Sequence, residues 1–256
     1  MSRISKAFEN KKAFIAFVTG GDPDLETTEA LIPEMAAAGA DLIEIGIPFS
    51  DPIAEGAIIQ EADERALNAG VTTDKLFEMV KRVRNKVDIP LVFVTYMNPV
   101  YTYGTDRFAM RCAECGIDGV VIPDVPFEEK NEVNEACINA GIELISIIVP
   151  ATKQRISMIA SEARGFLYCA AANNEMSKVE EMVEEIKNVS DIPCAIGYGI
   201  STPEQAQCVA NCSDGAIVKS SIVKLIGKHG KNCINPVCNY VREIKSAILN
   251  IESVSA

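Results

Sequence analysis

One acidic side chain sits among residues that repel it. Glu44 lies inside Leu42-Ile43-Glu44-Ile45-Gly46-Ile47. Side chains alternate across a strand, so Ile43, Ile45 and Ile47 share one face, while Glu44 shares the other with Leu42 and Gly46. If the isoleucines face a layer of helices, Glu44 points the other way, into a sheet interior. A carboxylate there loses its water, which penalises the charged form and moves its pKa toward neutrality. Such a group can give a proton and take one back. A buried glutamate tied to a lysine, an arginine or a backbone N–H would read the same way.

The segment that follows, Pro48-Phe49-Ser50-Asp51-Pro52-Ile53-Ala54-Glu55-Gly56, is a long loop with two acids that opens a helix. Glu55 or Asp51 could be the second carboxylate of an acid/base pair, and either could equally cap the helix. Farther on, Gly197-Tyr198-Gly199-Ile200-Ser201 and Lys219-Ser220-Ser221, the latter before a short helix at Ile222-Val223-Lys224, have the small residues and backbone N–H groups of an anion site. Phe17, Tyr96 and Tyr168 fall at or near strand ends and could border a flat apolar group, although core packing explains each of them as well. Asp124, in Ile122-Pro123-Asp124-Val125-Pro126, is a further polar residue at a strand end, fit to orient a substrate or fix a loop.

Other chemistries have little support. The one histidine, His229, rules out a multi-histidine metal site, and no G-x-S-x-G elbow accompanies it. Nine cysteines are spread along the chain, and the Cys112/Cys115 pair lies in a helical stretch without a second pair nearby, so reduced thiols are expected and no metal site.

These residues need a scaffold. Eight short apolar strands are predicted near 13–18, 42–47, 91–96, 119–123, 143–149, 165–170, 194–198 and 215–219. Helices are predicted near 26–38, 57–69, 73–85, 105–115, 127–140, 152–163, 178–189, 203–212 and 233–252. One junction recurs: Ala38-Gly39-Ala40-Asp41, Cys115-Gly116-Ile117-Asp118 and Ala140-Gly141-Ile142-Glu143 each close a helix with glycine and open a strand. Two other strands enter through Asp-Ile-Pro, at 88–90 and 191–193. Alternating strands and helices imply a parallel sheet covered by helices. Eight units in 256 residues fit a single-domain α/β (β/α)8 TIM barrel with additional helices over residues 1–256, better than an open doubly wound sheet. In such a barrel the catalytic groups gather at the C-terminal strand ends, where a phosphate commonly sits beyond strands seven and eight.

The net charge of −12 argues against nucleic acid or an anionic membrane as partner. No stretch approaches a membrane span and the start does not read as a secretory signal, so a cytoplasmic protein is expected.

Nearly the whole chain resembles the α subunit family of tryptophan synthase. The most specific stretches are Phe17-Val18-Thr19-Gly20-Gly21-Asp22-Pro23, Ile43-Glu44-Ile45-Gly46-Ile47-Pro48-Phe49-Ser50-Asp51-Pro52 and Asp118-Gly119-Val120-Val121-Ile122-Pro123-Asp124-Val125-Pro126. The resemblance implies a lyase of tryptophan biosynthesis that cleaves indole-3-glycerol phosphate to indole and glyceraldehyde 3-phosphate. It implies no cofactor in this chain, and a pyridoxal-phosphate β subunit that receives the indole in an α2β2 complex. Residue by residue, it implies Glu44 as main acid/base and Glu55 as second carboxylate. Phe17, Ile59, Tyr96 and Tyr168 would border the indole, Gly199 and Ser220 the phosphate, and Pro48, Phe49 and Asp51 would face the β subunit; the residues themselves add Gly197 and Asp124 to the substrate side, and Lys219 either adds charge to the phosphate or occupies its space.

The chain departs from the family's pattern at three places. Glu55 stands where the family usually has aspartate, and Lys219 where it has glycine. After the sixth strand the family's Gly-Val-Thr-Gly lid is replaced by Ala171-Ala172-Asn173-Asn174-Glu175, several residues shorter. Two other functions stay open on these grounds: a catalytically weakened subunit that regulates the β chain, and a barrel enzyme acting on a different phosphorylated substrate.

Overall fold

A computed structural model describes residues 2–170, 176–197 and 199–250. Its eight strands are β1 (Ala13–Thr19), β2 (Leu42–Gly46), β3 (Leu91–Val94), β4 (Gly119–Val121), β5 (Glu143–Ile148), β6 (Leu167–Ala170), β7 (Cys194–Gly197) and β8 (Gly215–Val218). All pair in parallel in chain order, and β8 closes on β1, which makes a closed (β/α)8 barrel. The described helices are α1 (Arg3–Ala7), α2 (Leu25–Ala38), α3 (Ala57–Asn68), α4 (Thr73–Arg84), α5 (Met97–Tyr103), α6 (Thr105–Cys115), α7 (Asn131–Ala140), α8 (Lys153–Glu162), α9 (Met176–Lys187), α10 (Pro203–Cys212), α11 (Ser220–His229) and α12 (Ile234–Leu249). None is long and apolar enough to cross a membrane.

The alternation predicted for β2 holds. Ile43, Ile45 and Ile47 pack outward into the layer between strands and helices. Leu42 packs inward with Ile15, Phe17, Val92, Ile145, Tyr168 and Ile217. Ile4 of α1 joins that inner cluster and is fully buried, so the short first helix plugs the N-terminal end of the barrel. The predicted helix-closing glycines behave as expected: Gly39 and Gly116 sit at φ of 117° and 88°, where a Cβ is strained.

Three sequence expectations need correction. The third strand ends at Val94, so Tyr96 is not a strand residue but the N-cap of α5. The sequence pattern missed α5, whose Pro99 falls in the first turn, where a missing N–H is not felt. The helix after the eighth strand is not short: α11 starts at Ser220 and runs ten residues. Where helix was expected from 127, a 3₁₀ turn at Phe127–Glu129 precedes α7.

Candidate active site

β2 brings Glu44 into the barrel lumen, beside Phe17 of β1 and Val92 of β3 in register. The side chain is fully buried, and neither carboxylate oxygen has a hydrogen-bond partner among the described residues. Burial pushes its pKa up to about 7; the positive charge of Lys219 opposes the rise and the negative charge of Glu55 adds to it. The alternative of a structural glutamate held in an ion pair is therefore not what the side chain does.

A cavity of about 410 Å³ opens at the C-terminal strand ends. Glu55, Ile59, Tyr168, Gly197, Gly199, Lys219 and Ser220 all line it. Glu55 comes from the loop before α3, and its backbone N–H is tied to the Pro52 carbonyl at 3.0 Å. Lys219 ends the strand-eight side, and its Nζ meets Glu55 Oε1 at 2.5 Å. The same ammonium stands 4.6 Å from the centroid of the Phe17 ring.

Two close approaches shape the aromatic wall. A Cβ on Gly197 would come 2.5 Å from the Tyr168 hydroxyl, and one on Gly46 would come 2.6 Å from the Phe17 ring. Each glycine makes room for one ring. Tyr168 is buried, and burial pushes its hydroxyl pKa well up, with the charges of Glu44 and Glu55 adding to it.

At the opposite end of the cavity, Ser220 opens α11 and is exposed. Ser221 donates to the Ile200 carbonyl at 3.2 Å, and Tyr240 donates to the Ser201 carbonyl at 3.2 Å, which anchors the Gly199–Ser201 loop. This end offers helix N–H groups and few bulky side chains.

Four of the predicted catalytic and substrate-side residues do not line this cavity: Glu44 and Phe17, which lie in the barrel interior, and Tyr96 and Asp124, which hold loops. The Tyr96 hydroxyl accepts the Ala54 N–H at 3.0 Å, and its ring packs on Phe49 at 5.5 Å. Asp124 accepts the Met97 N–H with both oxygens, at 2.9 and 3.1 Å, and so caps α5. Of the loop residues, Pro48 is buried, Phe49 is half-buried and Asp51 is exposed, with the Ser50 hydroxyl donating to Asp51 at 2.6 Å. Ile53 projects 82% exposed from the same loop. The residues read as an altered lid, Ala171 to Glu175, and Tyr198 lie outside the described residues.

Sequence reasoning missed Asp63. It is buried on α3 with a pKa pushed up to about 7, first by burial and then by the charge of Glu55, while a backbone hydrogen bond from Phe49 pulls the other way. The signal was present: Ile59, Ala62, Asp63 and Ala66 fall on one helical face, and that face is the buried one.

A larger cleft of about 910 Å³ lies between the β5–α8 connection and α9. Its rim charges Lys153 and Glu185 pair with each other, and its apolar residue Val149 is exposed. The smaller cavity is lined by Glu55 and Lys219, the two charges that bear on the pKa of Glu44.

Known proteins resemble this chain in sequence and in fold. The family model for the tryptophan synthase alpha chain matches residues 4–248. The tryptophan synthase alpha chain of Lacticaseibacillus casei is 40% identical over 255 residues, covering 97% of this chain and 96% of that one. That of a Thermoanaerobacter species is 40% identical over 266 residues, covering 99% and 100%. Among solved structures, the tryptophan synthase alpha chain from Legionella pneumophila superposes with a TM-score of 0.91 at 33% identity, covering 99% of both chains. A tryptophan synthase chain from M. tuberculosis, in an open form with BRD0059 bound, gives 0.89 at 30% identity, covering 97% of this chain and 99% of that one.

Proposed function

Because the chain belongs to the tryptophan synthase alpha chain family, we propose that Glu44 carries the proton of the family's α reaction in the cavity at the barrel mouth. The chain is a carbon–carbon lyase, and the family's reaction is the retro-aldol cleavage of indole-3-glycerol phosphate to indole and glyceraldehyde 3-phosphate. The single observation that carries the assignment is a fully buried carboxylate, facing the lumen, with no partner on either oxygen among the described residues.

The steps follow from the chemistry. Indole is a leaving group only after its C3 is protonated. Glu44, with a pKa of about 7, is a neutral acid for a sufficient part of the time to give that proton. Protonation places positive charge on the ring nitrogen, and Glu55, at the cavity wall, stabilises it. The bond between indole C3 and the glycerol carbon then breaks, and its electron pair returns to the indole ring. The hydroxyl proton on that glycerol carbon leaves to the Glu44 carboxylate as the aldehyde forms. One carboxylate gives a proton and regains one, so the cycle closes.

Phe17, Ile59 and Tyr168 border the indole ring in this reading. The phosphate sits at the Gly197–Gly199 turn and the Ser220 helix start, with Lys219 beside it. Tyr96 acts on the ring side by holding the Glu55 loop through Ala54 and Phe49, and Asp124 acts through α5. Pro48, Phe49, Asp51 and the exposed Ile53 face a tryptophan synthase β subunit in an α2β2 assembly. The β subunit, not this chain, uses pyridoxal phosphate, and the complex works in the cytoplasm.

The test is indole release from indole-3-glycerol phosphate, with and without β subunit, by wild type and Glu44→Gln. Release by wild type and its loss in the variant support the assignment. Equal release by both removes Glu44 from the reaction.

A further inference from the structure

We propose that Lys219 is a positioning residue for the α reaction, one whose ammonium holds the Glu55 carboxylate in place across the mouth of the barrel, so that the two side chains work as one unit. The inference rests on the roles of Glu44 and Glu55 given above.

The pair joins distant parts of the chain, 164 residues apart in sequence. In barrel order β8 pairs with β1, and β1 with β2. The ion pair therefore bridges over β1, from the end of β8 to the loop beyond β2. Phe17 of β1 forms its floor, with the ammonium 4.6 Å from the ring centroid. The two ends are not equivalent. Lys219 is the N-cap of α11, and its carbonyl accepts the N–H groups of Ile222 and Val223 at 3.1 and 3.2 Å, so its backbone is fixed by a ten-residue helix. Glu55 belongs to an irregular loop. The anchored cation sets the position of the loop carboxylate.

Stability does not account for the pair. Both side chains are largely out of solvent, at 18% and 11% exposure, and taking two charges out of water costs about as much as their attraction returns. Placement is the remaining return. By the resemblance stated above, Glu55 and Lys219 are both departures from the family's pattern, and the two departures touch each other.

The ammonium acts on more than Glu55. Its charge bears on Glu44 from β2 and Asp63 from α3; Tyr168 from β6 and Tyr96 ahead of α5 face the Glu55 carboxylate, and Lys224 from α11 lines the same cavity. Lys219 lowers the pKa of Glu44 while Glu55 raises it. Without the ammonium, Glu44 would keep its proton to higher pH.

The experiment uses the full chain with its β partner and indole-3-glycerol phosphate, and compares wild type with Lys219→Met, Lys219→Arg, Lys219→Gly, Glu55→Asp and the double variant Glu55→Asp/Lys219→Gly. Circular dichroism and thermal melting confirm that each is folded. Lys219→Met is expected to lower kcat by ~10–100-fold with a much smaller change in KM. The limb of the pH–rate profile that belongs to Glu44 is expected to move up by roughly half to one pH unit. Lys219→Arg should restore most of kcat, and the double variant should be more active than Lys219→Gly alone. If Lys219→Met raises KM alone and leaves the pH profile in place, Lys219 is a phosphate ligand only and the inference is wrong. Simple additivity in the double variant overturns it equally. A wild type that releases no indole overturns both this inference and the assignment of Glu44 beneath it.

Discussion

Three aspartates at the N-terminal strand starts and the glutamate in the barrel lumen are held in opposite ways. At the N-terminal end, Asp41, Asp118 and Asp214 each stand just before an even-numbered strand and reach back to the strand before it. Asp41 accepts the Phe14 N–H at 2.8 Å, Asp118 the Leu91 N–H at 2.9 Å, and Asp214 the Cys194 N–H at 2.8 Å. Each also holds a cation or two: Lys11 and Lys245 at 2.6 Å on Asp41, Arg3 and Arg84 at 2.9 Å on Asp118, and Lys187 at 2.6 Å on Asp214. At the C-terminal end, Glu44 has no partner on either oxygen among the described residues, and Asp63 is pushed toward neutrality by burial. A saturated carboxylate fixes strand ends and cannot easily move a proton. An unsatisfied one weakens the fold and is available for chemistry.

The largest effect should come from removing the unsatisfied group. Glu44→Gln is expected to cut indole release by ~1,000-fold, the scale of a lost general acid/base. The variant should nonetheless be the more stable protein at alkaline pH. Glu44 has a folded pKa of about 7 against an ordinary glutamate value of 4.5. Between those values the folded chain keeps a proton that the unfolded chain has released, so stability falls as pH rises from 4.5 and levels off above 7. The penalty above pH 7 is on the order of 3 kcal/mol. Asp63, also near 7, has the same sign. Melting curves at pH 5 and pH 8 should show wild type losing stability over that interval and Glu44→Gln losing less of it. Equal slopes in the two proteins would mean that Glu44 is not the buried acid described here.

Asp118→Ala should do the reverse. It strips the Leu91 N–H and the half-buried Arg84 of their acceptor, and a cost of about 2–4 kcal/mol is expected from the unpaired groups. Urea unfolding would show the loss, while kcat of the folded fraction should stay within a factor of ~2. A large fall in kcat would break the division between these aspartates and Glu44.

Much of this was legible in the sequence because period and punctuation coincide. The isoleucines around Glu44 stated which way it faced, and the helix-closing glycines marked where strands begin. What could not be read depended on contacts between distant segments. Nothing in Lys219-Ser220-Ser221 says that the lysine turns to Glu55 rather than to an anion at the helix start. Tyr96 reads as a strand end because Leu91 to Tyr96 is apolar nearly throughout, and only the Ala54 N–H on its hydroxyl reveals it as a loop anchor. Asp63 was visible in the helical period of α3, but the period shows burial and not the carboxylates that face it.

Smaller changes sharpen the picture of the catalytic end. Gly197→Ala places a Cβ 2.5 Å from the Tyr168 hydroxyl, so the ring must shift into the cavity. KM for indole-3-glycerol phosphate should rise ~10-fold, with ~1–3 kcal/mol lost from overpacking. Tyr96→Phe is the mildest. It keeps the ring against Phe49 and removes only the acceptor of the Ala54 N–H, at a cost of about 0.5–1.5 kcal/mol. Ala54 precedes Glu55 directly, so a loosened backbone there displaces the second carboxylate while Glu44 stays in its strand. A fall of ~2–5-fold in kcat/KM is expected, without movement of the pH limb that belongs to Glu44. Should that limb move instead, the loop and the buried acid are coupled more tightly than the ion pair at Lys219 requires, and Glu44, Glu55 and Lys219 would have to be treated as one titrating cluster rather than as an acid beneath a positioned pair.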